Sequence, residues 1–139
     1  MPDAPRLVVD SNVLVSRLLF RHSVAAEAVR LAMSQSQLIV SAETLLELEA
    51  VLARPKFDTY LAQADRLQFL HRLRRVAVQI DEVAAISACR DAKDDKFLAL
   101  ALAGRANLIL SGDQDLLVLH PFRGINILSP RQYLDRSLV

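Results

Sequence analysis

The sequence predicts an α/β fold in which one mostly parallel sheet is covered on both faces by helices. Two observations predict it. Five short apolar runs that suit buried strands, at 6–9, 37–41, 76–80, 108–111 and 125–128, alternate with longer stretches whose apolar residues recur at helical spacing. Parallel strands require crossovers, and right-handed helical crossovers supply them. A chain of 139 residues with 53% hydrophobic composition is long enough for one buried core, so a single domain, 1–139, is expected.

Each element has its local reason. RLVV (6–9) reads as a buried strand that ends at Asp10. DSNVLVSRLLF and SVAAEAVRLAMSQ, on either side of RHS, are too densely apolar for alternating strands and predict two buried helices. QLIVS (37–41) is the second strand. Ser41 is placed to N-cap the helix AETLLELEAVLA (42–53), with Glu43 in its first turn and Pro55 just beyond its end. DTYLAQADRLQFLHRLRR (58–75) predicts a further helix, with Leu61, Leu67, Leu70 and Leu73 near helical spacing, and VAVQI (76–80) a short strand. DKFLALALAGRA (95–106) is a nearly all-apolar helix that Gly104 is placed to stop before the strand LILS. INIL (125–128) precedes SPRQYLDRSL, where Ser129 is the N-cap and Pro130 takes the first helical position.

Composition narrows the function. The 17 basic and 16 acidic residues cancel to a net charge of +1, so any nucleic-acid binding must rest on local clusters. The single Cys89 excludes an internal disulfide framework, and the apolar runs are too short to span a bilayer. With no signal-peptide pattern at the start, a cytoplasmic location without membrane contact is expected.

In sheets of this kind the binding crevice lies beyond the carboxyl ends of the strands. Asp10 follows strand one, and Asp113 and Asp115 follow strand four in LILSGDQDL. Glu47 sits within LLELEAVL, and Asp95 opens the most apolar helix. Four carboxylates from four segments meeting at one crevice are unfavourable unless a cation joins them. His22, His71 and His120 stand alone, so hard oxygen ligands indicate Mg2+ or Mn2+ rather than zinc. Ser11 and Asn12 can orient Asp10 or bind a metal-held water. Each acid also has a plain structural use: Asp10, Asp95 and Asp115 as helix N-caps, and Glu47 on the solvated face that carries Glu43 and Glu49.

Three blocks, DSNVLVSRLLF, SAETLLELEAVLARPKF and RDAKDDKFLALALAGRANLILSGDQDLL, together resemble the PIN-domain family, in the branch of VapC-like toxin components of bacterial toxin–antitoxin systems. The likeness runs from about residue 7 to the helix near 134. It implies a three-layer α/β/α sandwich with a five-stranded parallel sheet in the order 3-2-1-4-5. Asp10, Glu47, Asp95 and Asp113 match the family's catalytic, metal-binding acids. Asp115 matches a further acid counted with the site, and Ser11 and Asn12 its polar neighbours. Asp91 and Asp94 lie close enough to Asp95 that either is an alternative ligand. The family's activity is metal-dependent endoribonuclease cleavage, with a homodimer and a small antitoxin that blocks the site. One or two metals would lower the pKa of an attacking water and leave a 5′-phosphate and a 3′-hydroxyl.

RNA needs cations, and Arg54 with Lys56, Lys93 with Lys96, and the run HRLRR (71–75) offer them. HRLRR fits a solvated helix face better than a phosphate contact. With no tryptophan and 5% aromatics, no base-stacking platform is evident. A phospho-receiver domain is disfavoured, because strand one carries a single acid and Glu47 has no role there. An aspartyl phosphatase would want its Asp-x-Asp after strand one, whereas Asp113 and Asp115 follow strand four. A catalytically silent RNA- or protein-binding relative is the alternative to an enzyme.

Overall fold

The computed structural model describes residues 4–137; Leu138, at the end of the expected C-terminal stretch, lies outside them. Five strands, β1 (Arg6–Val9), β2 (Gln37–Val40), β3 (Val78–Gln79), β4 (Leu108–Leu110) and β5 (Asn126–Leu128), form one all-parallel sheet in the order β3-β2-β1-β4-β5. Leu7 of β1 pairs with Leu38 on one side and Leu108 on the other, which centres the N-terminal strand. The chain runs outward through β2 and β3, then returns to the other side of β1, so the order reverses between β1 and β4. That reversal is where a crevice opens in such sheets.

Strand side chains alternate between two cores, as a period of two requires. Leu7, Val9, Leu38, Val40, Leu110 and Leu128 face one layer. That layer holds α1 (Ser11–Leu19), α2 (Val24–Gln35), α3 (Ala42–Leu52), α4 (Gln63–Val76) and α7 (Pro130–Ser137). Val8, Ile39, Ile109 and Ile127 face the other, formed by α5 (Asp95–Ala103) and the short α6 (Gln114–Leu117). The result is a three-layer sandwich, as the resemblance implies. Val13 and Val15 are buried in the first core, with Leu18 and Leu19 packed against it, so these residues serve as interior.

The helix starts follow their caps. Ser23 and Ser41 accept from the N–H groups of Ala26 and Thr44, and Thr44 answers by accepting from the Ser41 N–H. Ser129 and Gln132 exchange the same pair of bonds at α7. Gly104 caps α5 with an ordinary φ of −90°. Space, not backbone freedom, requires it there, because a Cβ would collide with buried Ile39.

Two elements differ from expectation. The helix expected from 58 begins at Gln63, behind a 3-10 turn at Pro55–Phe57. Arg66 is the cause: 1% exposed, it donates to the carbonyls of Leu52 and Leu61 and to Asp58 (2.7 Å), which holds the preceding segment in a loop. Leu67, expected on the apolar face, is 43% exposed in consequence. Strand 76–80 shortens to two residues because Val76 completes the last turn of α4, closed by the Ala77 N–H on Leu73. Among the described residues no helix is long and apolar enough to cross a membrane.

Candidate metal centre

Asp10 stands where β1 hands over to α1. Its backbone N–H donates to the Leu110 carbonyl (2.9 Å), tying the end of β1 to β4. Its Oδ1 accepts from the Asn12 N–H (3.1 Å) as the N-cap of α1, and its Oδ2 accepts from Ser111 Oγ (2.8 Å). Burial pushes this carboxyl above its usual range, and the charges of Glu47 and Asp113 add to the rise against the lowering bonds from Ser111 and Asn12. Asp10 thus caps α1 while lying against the charges of Glu47 and Asp113.

Ser111, fully buried after β4, joins two acids: its hydroxyl donates to Asp10 and accepts from the Asp113 N–H (3.0 Å). Asp113, not Asp115, caps α6, through Oδ1 on the Asp115 N–H (2.9 Å). Asp115 lies in the first turn of that helix. A cleft of about 430 Å³, lined by Asp10, Asn12, Gly112 and Asp113, opens at this edge.

The acids ahead of α5 divide the work differently from expectation. Asp95, expected in the site, turns its Oδ1 to the N–H groups of Ala88 (3.0 Å) and Cys89 (2.7 Å), and these bonds pull its pKa down. Asp94 faces the crevice in its place. Burial raises its carboxyl to about 7, helped by the charge of Asp113 and a side-chain hydrogen bond with it, and by the charges of Asp10 and Asp91. Its Oδ2 is buried with no hydrogen-bond partner among the described residues. One carboxylate oxygen each from Asp91, Asp94 and Asp115 lie within 4.8 Å of one another. Asp91 also caps the 3-10 turn Ala92–Asp94 through the Lys93 N–H (3.0 Å).

Glu47 enters from α3. Its Oε2 accepts from buried Ser11 Oγ (2.9 Å), and its Oε1 lies 3.4 Å from Lys96 Nζ. Lys96 is therefore engaged with an acid instead of standing open to phosphate; it also donates to the Lys93 carbonyl and lies over the Phe97 ring. Lys93 is exposed beside the cluster. Arg54 and Lys56 are exposed beyond the end of α3, Lys56 over the Phe57 ring, and make no bond to the acids. The HRLRR run behaves as a solvated face: Leu73 is buried, its four basic neighbours are exposed, and Arg74 pairs with Glu49.

The structure thus brings together Asp10, Glu47, Asp94 and Asp113, with Asp91 and Asp115 against Asp94, and leaves Asp95 outside. Ser111 was missed from sequence; a small hydroxyl directly after a buried strand and two positions before an acid was the available signal. The donor set is oxygen only, and a buried carboxylate oxygen without a partner is what a hard divalent cation would satisfy. The residues fit Mg2+ or Mn2+.

Comparison with known proteins agrees with this architecture. An uncharacterized protein of Methanocaldococcus jannaschii is 28% identical over 116 residues, 82% of this chain and 74% of that one. VapBC2 from Rickettsia felis, solved bound to a promoter DNA fragment, superposes with a TM-score of 0.61 at 12% identity, over 89% of this chain and 98% of its own. PAE2754 from Pyrobaculum aerophilum gives 0.60 at 13% identity, over 97% and 90%. DNA-bound VapBC from Salmonella typhimurium gives 0.58 at 14%, over 91% and 98%. These structural likenesses concern the fold. The sequence pattern of the PIN domain matches residues 6–115, from the first residue of β1 to the last acid of the crevice, and the chain belongs to the PIN domain family.

Proposed function

We propose that the protein is a Mg2+- or Mn2+-dependent endoribonuclease, the toxin of a toxin–antitoxin pair. The observation that carries this reading is the buried, unpartnered Oδ2 of Asp94 among acids from three further segments. Membership of a family whose domains are in general nucleases, and a fold shared with VapBC proteins, support it.

Asp94, Asp113 and Asp10 would hold the cation, with Glu47, Asp91 and Asp115 beside them. When bound, the cation supplies Lewis acidity to an attacking water and to the phosphodiester, and cleavage leaves a 5′-phosphate and a 3′-hydroxyl. The chain's own residues prepare that step. Ser111 and the Asn12 N–H fix the Asp10 carboxylate, Ser11 fixes Glu47, and Lys96 balances the Glu47 charge. One of these carboxylates accepts the proton of the attacking water. The partners in this reading are an RNA substrate, a second copy of the chain and an antitoxin that covers the crevice, all in the cytoplasm.

Cleavage of a mixed RNA pool by the folded, antitoxin-free protein tests the reading. Cuts bearing 5′-phosphates in Mg2+ or Mn2+, lost in EDTA and reduced at least about 100-fold by Asp10→Asn, are expected. RNA binding without any cut above the variant's background would instead mark a silent binding module.

A further inference from the structure

A polyanionic substrate needs positive charge, and Lys96, the most sheltered cation near the acids, is held by Glu47. Unpaired charge gathers instead at the far end of α1. Arg17, Arg21 and His22, with Arg30 of α2, line a cavity of about 430 Å³. Among the described residues the ion pairs are Arg66–Asp58, Arg74–Glu49 and Lys96–Glu47, so none of these three guanidiniums has a carboxylate partner. Arg30 donates to the Arg21 carbonyl (2.9 Å), which holds the two segments together. Burial, and then the charge of Arg30, keep the Arg17 guanidinium below its usual pKa, as like charges without a counter-ion should.

A second, independent feature adjoins the first. Phe20, between Arg17 and Arg21 in sequence, meets Tyr60 edge to face with ring centroids 5.5 Å apart. The rings remain 47% and 60% exposed. Arginines alone would make a solvated face, and two rings alone would be loose packing. Guanidiniums without counter-ions beside partly exposed aromatic side chains match the two halves of a nucleotide, phosphate and base.

We propose that Arg17, Arg21, His22 and Arg30, with Phe20 and Tyr60, form a docking subsite for single-stranded RNA. The guanidiniums hold backbone phosphates and the rings stack an unpaired base. This rests on the nuclease reading above. The nine residues of α1, which follow Asp10 directly, rise roughly 14 Å. The subsite therefore engages nucleotides a few positions from the phosphate being cut.

Binding of a fluorescein-labelled single-stranded RNA of mixed sequence, measured in EDTA so that nothing is cut, tests the proposal. Arg21→Glu should weaken binding about tenfold and flatten its salt dependence. Tyr60→Ala should weaken it about tenfold with the salt dependence unchanged, and should leave binding of a blunt RNA duplex unaltered. Arg21→Lys and Tyr60→Phe keep the charge and the ring and should bind nearly as wild type, which separates docking from folding. A dinucleotide substrate too short to reach the subsite should be cleaved equally by wild type and both loss variants. RNA affinity unchanged in Arg21→Glu and Tyr60→Ala, with metal-dependent cleavage intact, would overturn the subsite and leave the nuclease standing. Loss of polyglutamate binding in those variants with RNA affinity unchanged would likewise overturn it, in favour of an acidic protein segment. A wild-type protein that neither binds nor cleaves RNA would remove both readings.

Discussion

Asp94 and Asp95 are chemically identical neighbours with opposite surroundings. Asp95 finds two backbone N–H donors and is lowered in pKa; Asp94 finds other carboxylates and is raised to about 7. Asp94→Asn should therefore abolish tight Mn2+ binding in calorimetric titration, yet stabilise the metal-free protein above neutral pH by removing a repelled charge. Asp95→Asn should bind Mn2+ within a few-fold of wild type but melt earlier, because an amide is a poorer acceptor for the Ala88 and Cys89 N–H groups. Equal loss of Mn2+ binding in both variants would contradict this division. The sequence shows an acidic run ahead of an apolar helix but cannot rank its members. Successive residues of a helix point about 100° apart, so one residue's uncertainty in the helix start decides which acid faces inward. Asp10, Glu47 and Asp113 were legible because each follows or sits within an unambiguous apolar run.

At the scale of elements, strand positions and most helices were legible from periodicity and caps; the segment before α4 was not. Leu61, Leu67, Leu70 and Leu73 fit a helical stripe, yet the decisive residue is a buried arginine that no apolar pattern registers. Arg66 satisfies the carbonyls of Leu52 and Leu61 from inside the fold. Arg66→Met fills the space but leaves those carbonyls without their donor, and should cost about 1–3 kcal/mol in urea unfolding. A cost near zero would mean that the loop from Asp58 to Ala62 is held by something other than this side chain. The same paragraph of chain explains β3: a helix that runs through Val76 leaves two residues for the edge strand, and a short edge resists pairing with foreign strands.

For the whole molecule, proton linkage sets the pH response. Asp10 and Asp94 keep protons in the folded state that the unfolded chain, with a carboxyl pKa near 3.8, has already released. The folded state then binds more protons, so metal-free stability falls as pH rises from about 4 to about 7. Asp95, lowered in the fold, has the opposite sign; its contribution is present above about pH 4 and is lost on further acidification. In EDTA the melting temperature should be higher near pH 5 than near pH 8. Saturating Mn2+ should raise it much more at the higher pH, where the cation no longer competes with a proton. A metal-free melting temperature that climbs steadily from pH 5 to 8 would contradict the raised carboxyls.

The bond between Ser111 and Asp10 spans 101 positions of chain. During synthesis at about 5–20 residues per second, Asp10 is made roughly 5–20 seconds before its partner after β4. For that interval the central place in the sheet beside β1 is vacant, and Asp10 lacks both Ser111 and the acids carried by the later segments. The set of acids therefore assembles only after the segment bearing Ser111 and Asp113 has been made. An activity directed at RNA would thus be withheld until the segment from β4 to Asp115 joins the sheet beside β1.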